Sequence, residues 1–226
     1  MKFSSFAICT TLLSCAMTVN AATSGTQIAS VAVANSTSPA TWIAQDFTTS
    51  KFTFSVLVSQ QDETHFAVST VRITDQKSGK LLQEISEIGG FSMWIEPTKI
   101  VQIFDVNRDG YPDFSVPFAD GGAGPNSTKN FYLFDPQQNR FEINQQLSDL
   151  SDVSLNADGT ITSSYRVSCC EYQIDTYRFI RNKLTKVGYW NEHLTYDGKW
   201  IETSTSKLVH NKWHSKTTKK PVPKDY

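Results

Sequence analysis

Short strand-like segments separated by turn residues recur from residue 51 to residue 203, and this pattern constrains the fold most. The segments are rich in Val, Ile, Phe, Tyr and Thr, and the spacers QQDE, DQKSG, DPQQN, NADG and YDG are typical of hairpin turns. No long window has apolar residues at the helical period, although QQLSDLSD at 145–152 favours one helical turn. The sequence therefore predicts an all-β, antiparallel fold, a meander that is propeller-like or a sandwich.

The ends of the chain differ in composition from this strand-rich part. A short apolar run ends in small residues at Ala21, which is typical of a secretory signal peptide. Residues that follow are rich in Ser, Thr and Ala, with a first strand near residues 42–47. The predicted parts are a signal peptide at 1–21, a loose leader with the first strand at 22–50, a single all-β domain at 51–207 and a basic C-terminal tail at 208–226.

One cleavage site is predicted near the amino terminus, and a second site is an alternative to it. Cleavage after Ala21 predicts a periplasmic protein. Leu12-Leu13-Ser14-Cys15 resembles the lipobox of bacterial lipoproteins, in which a lipid anchor on Cys15 would hold the protein on a membrane facing the periplasm. Thr and Ser interrupt the apolar run, which falls short of the roughly 18 apolar residues of a membrane span, so no transmembrane segment is predicted.

The net charge of the chain bears on whether it binds nucleic acid. The formal net charge is −1, which predicts no broad surface for nucleic acid.

Removal of the signal peptide leaves Cys169 and Cys170 as neighbours in a compartment that favours oxidation. A disulfide between neighbours would be strained, so two buried or half-buried thiols in a strand are favoured over a redox switch.

Residues 105–114 read DVNRDGYPDF and carry a regular series of oxygen ligands around one glycine. Alternate side chains can converge if the chain curls tightly, which a glycine permits. An oxygen cage of this kind suits Ca²⁺. The predicted ligands are the side chains of Asp105, Asn107, Asp109 and Asp113 and the backbone carbonyl of Tyr111.

The flanks of this loop distinguish it from an EF-hand. An EF-hand needs helices on both sides and a bidentate Glu at the twelfth position, whereas here the flanks are strand-like and that position is Val116. The loop resembles the D-x-N-x-D-G-x-x-D element of calcium-binding β-propeller blades, of the FG-GAP type, and of thrombospondin-like loops. The alternative is an acidic turn without metal.

The segment FADGGAGPNSTKN at 118–130, called the Gly-rich segment below, predicts a projecting loop because of its glycines and proline. Such a loop could enter the cleft of a glycoside hydrolase and place donors near its two catalytic carboxylates. The alternative is an ordinary solvent loop. The candidate partner-binding residues are Asn126, Ser127, Thr128 and Lys129.

Motifs of the common enzyme classes are absent from the sequence. There is no GxSxG elbow, no HExxH, no phosphate-binding glycine loop and no CxxC pair. The sequence therefore predicts a protein that is not an enzyme.

The order of four segments within roughly 100–190 resembles one group of bacterial envelope proteins. The segments are DVNRDGYPDF, the Gly-rich segment, FYLFDPQQNRFEINQQLSDL and SCCEYQIDTYRFIRNKL. The group consists of immunity proteins that protect cells against lysozyme-like effectors delivered by a bacteria-killing type IV secretion system. Lys129 stands where the group commonly has an aromatic residue.

This resemblance implies a periplasmic, calcium-binding, β-rich inhibitor of a lysozyme-like peptidoglycan hydrolase. The alternative function is a calcium-stabilised envelope module that recognises a glycan or a protein partner. An immunity protein should be encoded beside its toxin, so genomic position discriminates between the two functions.

Overall fold

A computed structural model of the protein describes residues 39–62, 65–93, 95–121 and 126–223. The predicted signal peptide, the predicted acylation site at Cys15 and the leader up to residue 38 lie outside the described residues. The same holds for residues 122–125 of the Gly-rich segment and for the last three residues of the predicted tail.

The first sheet has five antiparallel strands that form because large β-branched and aromatic residues alternate with polar ones. In β2, Phe52, Phe54, Val56 and Val58 are buried and the intervening residues are more exposed. The order is β1-β2-β3-β4, and β5 also pairs with β3. The strands are β1 (Thr41–Ala44), β2 (Phe52–Gln60), β3 (His65–Asp75), β4 (Leu81–Ile85) and β5 (Gly90–Met93).

The second sheet follows a 3-10 turn at Pro97–Lys99 and is a four-stranded meander in chain order. A short helix, α1 (Gln145–Ser148), comes after it and is capped by Asn144, which confirms the predicted helical turn. Along the described chain, no helix has the length and apolarity needed to cross a membrane. The strands are β6 (Gln102–Phe104), β7 (Asp113–Ala119), β8 (Thr128–Asp135) and β9 (Arg140–Ile143).

The third sheet is a six-stranded meander, again in chain order. Two of its hairpins have two-residue turns with backbone φ in the left-handed region, at Arg181-Asn182 and at His210-Asn211. The strands are β10 (Val153–Leu155), β11 (Ile161–Ser168), β12 (Glu171–Ile180), β13 (Lys183–Leu194), β14 (Trp200–Val209) and β15 (Lys212–Pro221).

Two hydrophobic clusters place the second sheet between the other two. One face of β7 and β8, with Phe114, Tyr132 and Phe134, packs on the first sheet in a core rich in phenylalanine rings. The other face contributes Phe131, which packs in a smaller cluster with Ile161 of the third sheet. Three antiparallel sheets confirm the predicted all-β fold, and in the described part of the chain they resemble a sandwich and close no barrel.

The predicted basic tail contains a strand that the sequence pattern does not indicate. Residues 212–221 form β15, which pairs with β14 from Val209↔Lys212 to Trp200↔Pro221. All ten residues of β15 are exposed, so no apolar alternation marks the strand. Its backbone hydrogen bonds to β14 hold it in the sheet instead.

Candidate functional site

The loop at 105–113 connects β6 to β7 and curls as tightly as its glycine predicts. Gly110 has φ +87°, and Arg108 has φ 60°, so both residues adopt left-handed conformations. Glycine tolerates such a conformation without steric cost, whereas arginine does not. The chain therefore turns back on itself within this loop.

Three side chains of the loop meet over its backbone amides. Asp105 Oδ1 and Asn107 Oδ1 both accept the Asp109 N–H, at 3.0 and 3.2 Å. Asp105 Oδ2 accepts the Gly110 N–H at 3.0 Å, and Asp109 Oδ1 accepts the Tyr111 N–H at 2.9 Å. Asn107 Nδ2 donates to Asp109 Oδ2 at 2.7 Å. The curl thus gathers oxygen atoms from three alternate positions.

This donor set fits a hard cation such as Ca²⁺, which prefers oxygen ligands. The side chains of Asp105, Asn107 and Asp109 are exposed or half-buried, so a cation can reach them from solvent. No three His, Cys, Asp or Glu side chains are grouped as metal ligands within the described residues. Two side chains of the set are carboxylates, and the remaining one, Asn107, is an amide. A complete cage would also need the Tyr111 carbonyl and Asp113.

Asp113, one of the predicted ligands, is fully buried at the start of β7. Its Oδ2 accepts the Val106 N–H at 2.9 Å and its Oδ1 accepts the Phe134 N–H at 3.0 Å. Burial raises the pKa of Asp113 to about 7; the two N–H bonds oppose this shift, and the charges of Asp109 and Asp105 add to it. Asp113 therefore ties the loop to β8.

Tyr111 is predicted to contribute its backbone carbonyl as a ligand. Its ring lies 5.7 Å from the Phe134 ring, between centroids, and Lys51 Nζ lies 4.9 Å from the Tyr111 centroid. These contacts anchor the exit of the loop on the core between the first two sheets.

Arg108 docks the loop on the turn between β10 and β11. Its Nη2 donates to the carbonyl of Ala157 at 2.8 Å. The guanidinium also covers Gly159, where a Cβ would lie 2.4 Å from Arg108 Cζ. The loop is therefore held by the third sheet as well as the second.

The first three residues of the predicted partner-binding set are held by backbone contacts. Asn126 Oδ1 accepts the backbone N–H of Arg166 on β11, at 3.2 Å. The Ser127 carbonyl accepts the Asp152 N–H at 2.7 Å, and Thr128 forms a β-bridge with Ser151. All four predicted residues are half-buried, and the first three of them, residues 126–128, lie against the third sheet or the residues just before it.

Lys129 is the charged member of the set. Its ammonium donates to Gln102 Oε1 on β6 at 3.0 Å. Burial lowers the pKa of Lys129, and the charge of Asp152 opposes this shift. In the described residues, no carboxylate pairs with this ammonium at salt-bridge distance.

The loop at 105–113 and the Gly-rich segment lie at opposite ends of β7. A strand of this length spans about 20 Å, so the two do not form one pocket. The strands β7 and β8, which flank the Gly-rich segment, nevertheless connect the two sites. Asp113 begins β7 and binds the backbone of β8 at the loop end of this strand pair.

Three residues that sequence reasoning missed support these sites. Arg108 docks the loop, Gln102 binds Lys129, and Arg166 holds Asn126. The partners of each pair lie 27 or more residues apart, so no local motif could identify them.

A solved structure has a fold similar to that of this chain. The solved structure of a Xanthomonas type IV secretion system related protein matches with a TM-score of 0.56 and 18% identity, over 78% of this chain and 93% of that chain. A protein of unknown function from Bacteroides fragilis aligns over 81% of this chain and 94% of its own, at 10% identity and with a TM-score of 0.27. No family model and no curated protein matches the chain.

Proposed function

We propose that this protein is exported, binds calcium, and binds and inhibits a lysozyme-like peptidoglycan hydrolase, as an immunity protein does. The observation that carries the proposal is the likeness of its fold to that of a type IV secretion system related protein. The resemblance of the segments in 100–190 to immunity proteins of such a system supports the same function.

Calcium has a structural role in this proposal. Ca²⁺ bound by Asp105, Asn107, Asp109, Asp113 and the Tyr111 carbonyl would offset the repulsion among the carboxylates. It would also fix the start of β7, and through Asp113 the position of β8. A Gly-rich segment that is ordered in advance loses less entropy when a partner binds.

The proposed contact with the hydrolase is the part of the Gly-rich segment that begins β8. Among the described residues, the ammonium of Lys129 binds a neutral amide and no carboxylate, so it can form a charge-assisted bond with a catalytic carboxylate of a hydrolase cleft. The amide NH₂ of Asn126 and the hydroxyls of Ser127 and Thr128 add further donors.

Lys129→Ala is expected to weaken inhibition by about 1 to 3 kcal/mol, because the truncation leaves a hydrolase carboxylate without its partner. Inhibition constants for wild type and variant, measured with the same hydrolase, check the prediction. Lys207→Ala, which removes an exposed lysine on β14, is the control and should leave inhibition unchanged. Equal losses in both variants would indicate a general effect of charge.

The function itself is tested with a panel of purified lysozyme-like hydrolases, including any encoded beside this gene. Lysis of peptidoglycan is measured with and without the protein, at micromolar concentration and with calcium present. Strong inhibition of at least one member is the expected result. Undiminished lysis by every member would overturn the proposal.

A second candidate function is a calcium-stabilised module that recognises an envelope glycan. Trp200 and Trp213 are 43% and 49% exposed, and the register of β14 and β15 puts them on the same face of this hairpin. Aromatic rings of this kind combine an apolar surface with a polar edge that suits sugar rings. Binding of glycan fragments to wild type, but not to a Trp200→Ala variant, would favour this function.

Export is tested by the intact mass of the protein purified from the periplasm. The mature chain is expected to begin at Ala22, because small residues precede that position. A chain that begins at Cys15 and carries acyl groups would instead support a membrane-anchored lipoprotein. A mass that includes residues 1–21 would contradict export by either signal.

A further inference from the structure

The adjacent thiols of Cys169 and Cys170 lie in the two-residue turn between β11 and β12, not within a strand as expected from the sequence. Their Sγ atoms are 2.8 Å apart. Cys169 is exposed and Cys170 is half-buried, so a small reagent can reach the pair. The two sulfur atoms are thus close together and open to solvent, so an external oxidant could join them.

The side chain of Arg166 holds this turn. Its Nε donates to the Ser168 carbonyl at 2.9 Å, and its Nη2 donates to the Cys169 carbonyl at 2.7 Å. The guanidinium also lies 5.4 Å from the centroid of the Tyr172 ring. The acceptor at Cys169 belongs to the peptide group that joins the two cysteines, so the position of that peptide group is coupled directly to Arg166.

The backbone of the same arginine contacts the Gly-rich segment. The Arg166 N–H donates to Asn126 Oδ1 at 3.2 Å. The pairing of β11 with β12 shifts register between Arg166 and Ser168, so an irregularity in the strand pairing lies between the turn and this contact. One residue therefore connects the thiol pair to a residue of the proposed hydrolase contact.

We propose that Cys169 and Cys170 form a vicinal dithiol that closes to a cyclic disulfide by exchange with a low-molecular-weight disulfide, and that closure weakens the hold of Arg166 on Asn126. The thiolate of Cys169 attacks the reagent, forms a mixed disulfide and displaces one small thiolate. The thiolate of Cys170 then attacks the Cys169 sulfur and displaces the second. The two cysteines lose two electrons and two protons, and the reagent is reduced to two thiols.

Closure of the ring must change the turn. The sulfur atoms move from 2.8 Å to a bond of about 2.05 Å, while the two Cα atoms, about 3.8 Å apart, are closer than disulfides normally allow. The connecting peptide group has to reorient to accommodate this, and its carbonyl is the Arg166 acceptor. A strained, exposed disulfide of this kind is also easily reduced, so the change is reversible.

Formation of the cyclic disulfide is tested by incubating the purified protein with mixtures of oxidised and reduced glutathione, followed by acid quenching and mass analysis. A loss of about 2 Da in the tryptic peptide Val167–Arg178 is expected, with reversal by excess reduced glutathione. Cys170→Ser should instead stop at a glutathione adduct on Cys169. Two free thiols in every mixture, or a stable adduct on the wild type, would overturn the proposal.

The coupling is tested by amide hydrogen exchange at Arg166 in the reduced and oxidised protein, without any hydrolase. Exchange at Arg166 is expected to be about fivefold or more faster in the oxidised protein, because the bond to Asn126 is weakened. In Asn126→Ala, where that bond is absent, oxidation should no longer change this rate. Equal rates for both states of the wild type would overturn the coupling.

The effect on inhibition depends on the proposed function and is measured separately. If a hydrolase is inhibited, the reduced protein should inhibit it more strongly than the oxidised protein. Because mass and hydrogen exchange are measured on the protein alone, failure of the hydrolase assay would leave the thiol chemistry and its coupling intact.

Discussion

Asp113→Ala is expected to lower the free energy of unfolding by about 2 to 6 kcal/mol, even in the presence of a chelator. The substitution removes the acceptor of two buried backbone N–H groups, those of Val106 and Phe134, at about 1 to 3 kcal/mol each. No other side chain of the loop is both fully buried and the acceptor of two backbone N–H groups. Denaturant unfolding of wild type and variant, with matched slopes, measures the loss.

Asp113→Asn and Asp109→Ala are the controls for this result. Asn retains one acceptor oxygen of similar shape, so Asp113→Asn should lose less stability than Asp113→Ala. Asp109 is exposed, so in chelator Asp109→Ala should change stability by at most about 1 kcal/mol. Similar losses for Asp113→Ala and Asp109→Ala in chelator would contradict a specific structural role for Asp113.

Calcium is expected to stabilise the wild-type protein by about 2.7 kcal/mol at a hundredfold excess over its dissociation constant, because it binds only the folded loop. The carboxylates of Asp105 and Asp109 lie over the same curl of backbone, and a cation would offset their repulsion. Melting temperatures in calcium and in chelator check this prediction. The melting temperature should rise with calcium concentration.

Asp109→Ala should abolish the response to calcium while leaving the fold intact. A second variant, Asp158→Ala, removes an exposed carboxylate from the β10–β11 turn next to the loop and should retain the response. A wild-type melting temperature that does not change with calcium would show that the loop is an acidic turn without metal. A lost response in Asp158→Ala would show that calcium binds elsewhere on this surface.

Local patterns were sufficient to predict most of the strands and the form of the candidate site. The alternation in β2 and the turn residues that follow it depend on side chains a few residues apart, and these are visible in the sequence. The curl at Gly110 is likewise a local property of the backbone. The convergence of Asp105, Asn107 and Asp109 follows from their alternate spacing once the chain turns.

Contacts between distant residues decided the burial and the hydrogen-bond partners of the polar residues, because these depend on elements that the chain brings together only on folding. Asp113 looks like its acidic neighbours in the sequence, but β8 covers it and supplies the Phe134 N–H that it accepts. Lys129 looks free until β6 places Gln102 beside it. β15 has no apolar alternation, and only its backbone pairing with β14 makes it a strand. The sequence by itself determined the all-β class and the local shape of the loop; the tertiary structure decided which polar groups are buried, paired or exposed, since these depend on the stacking of the three sheets.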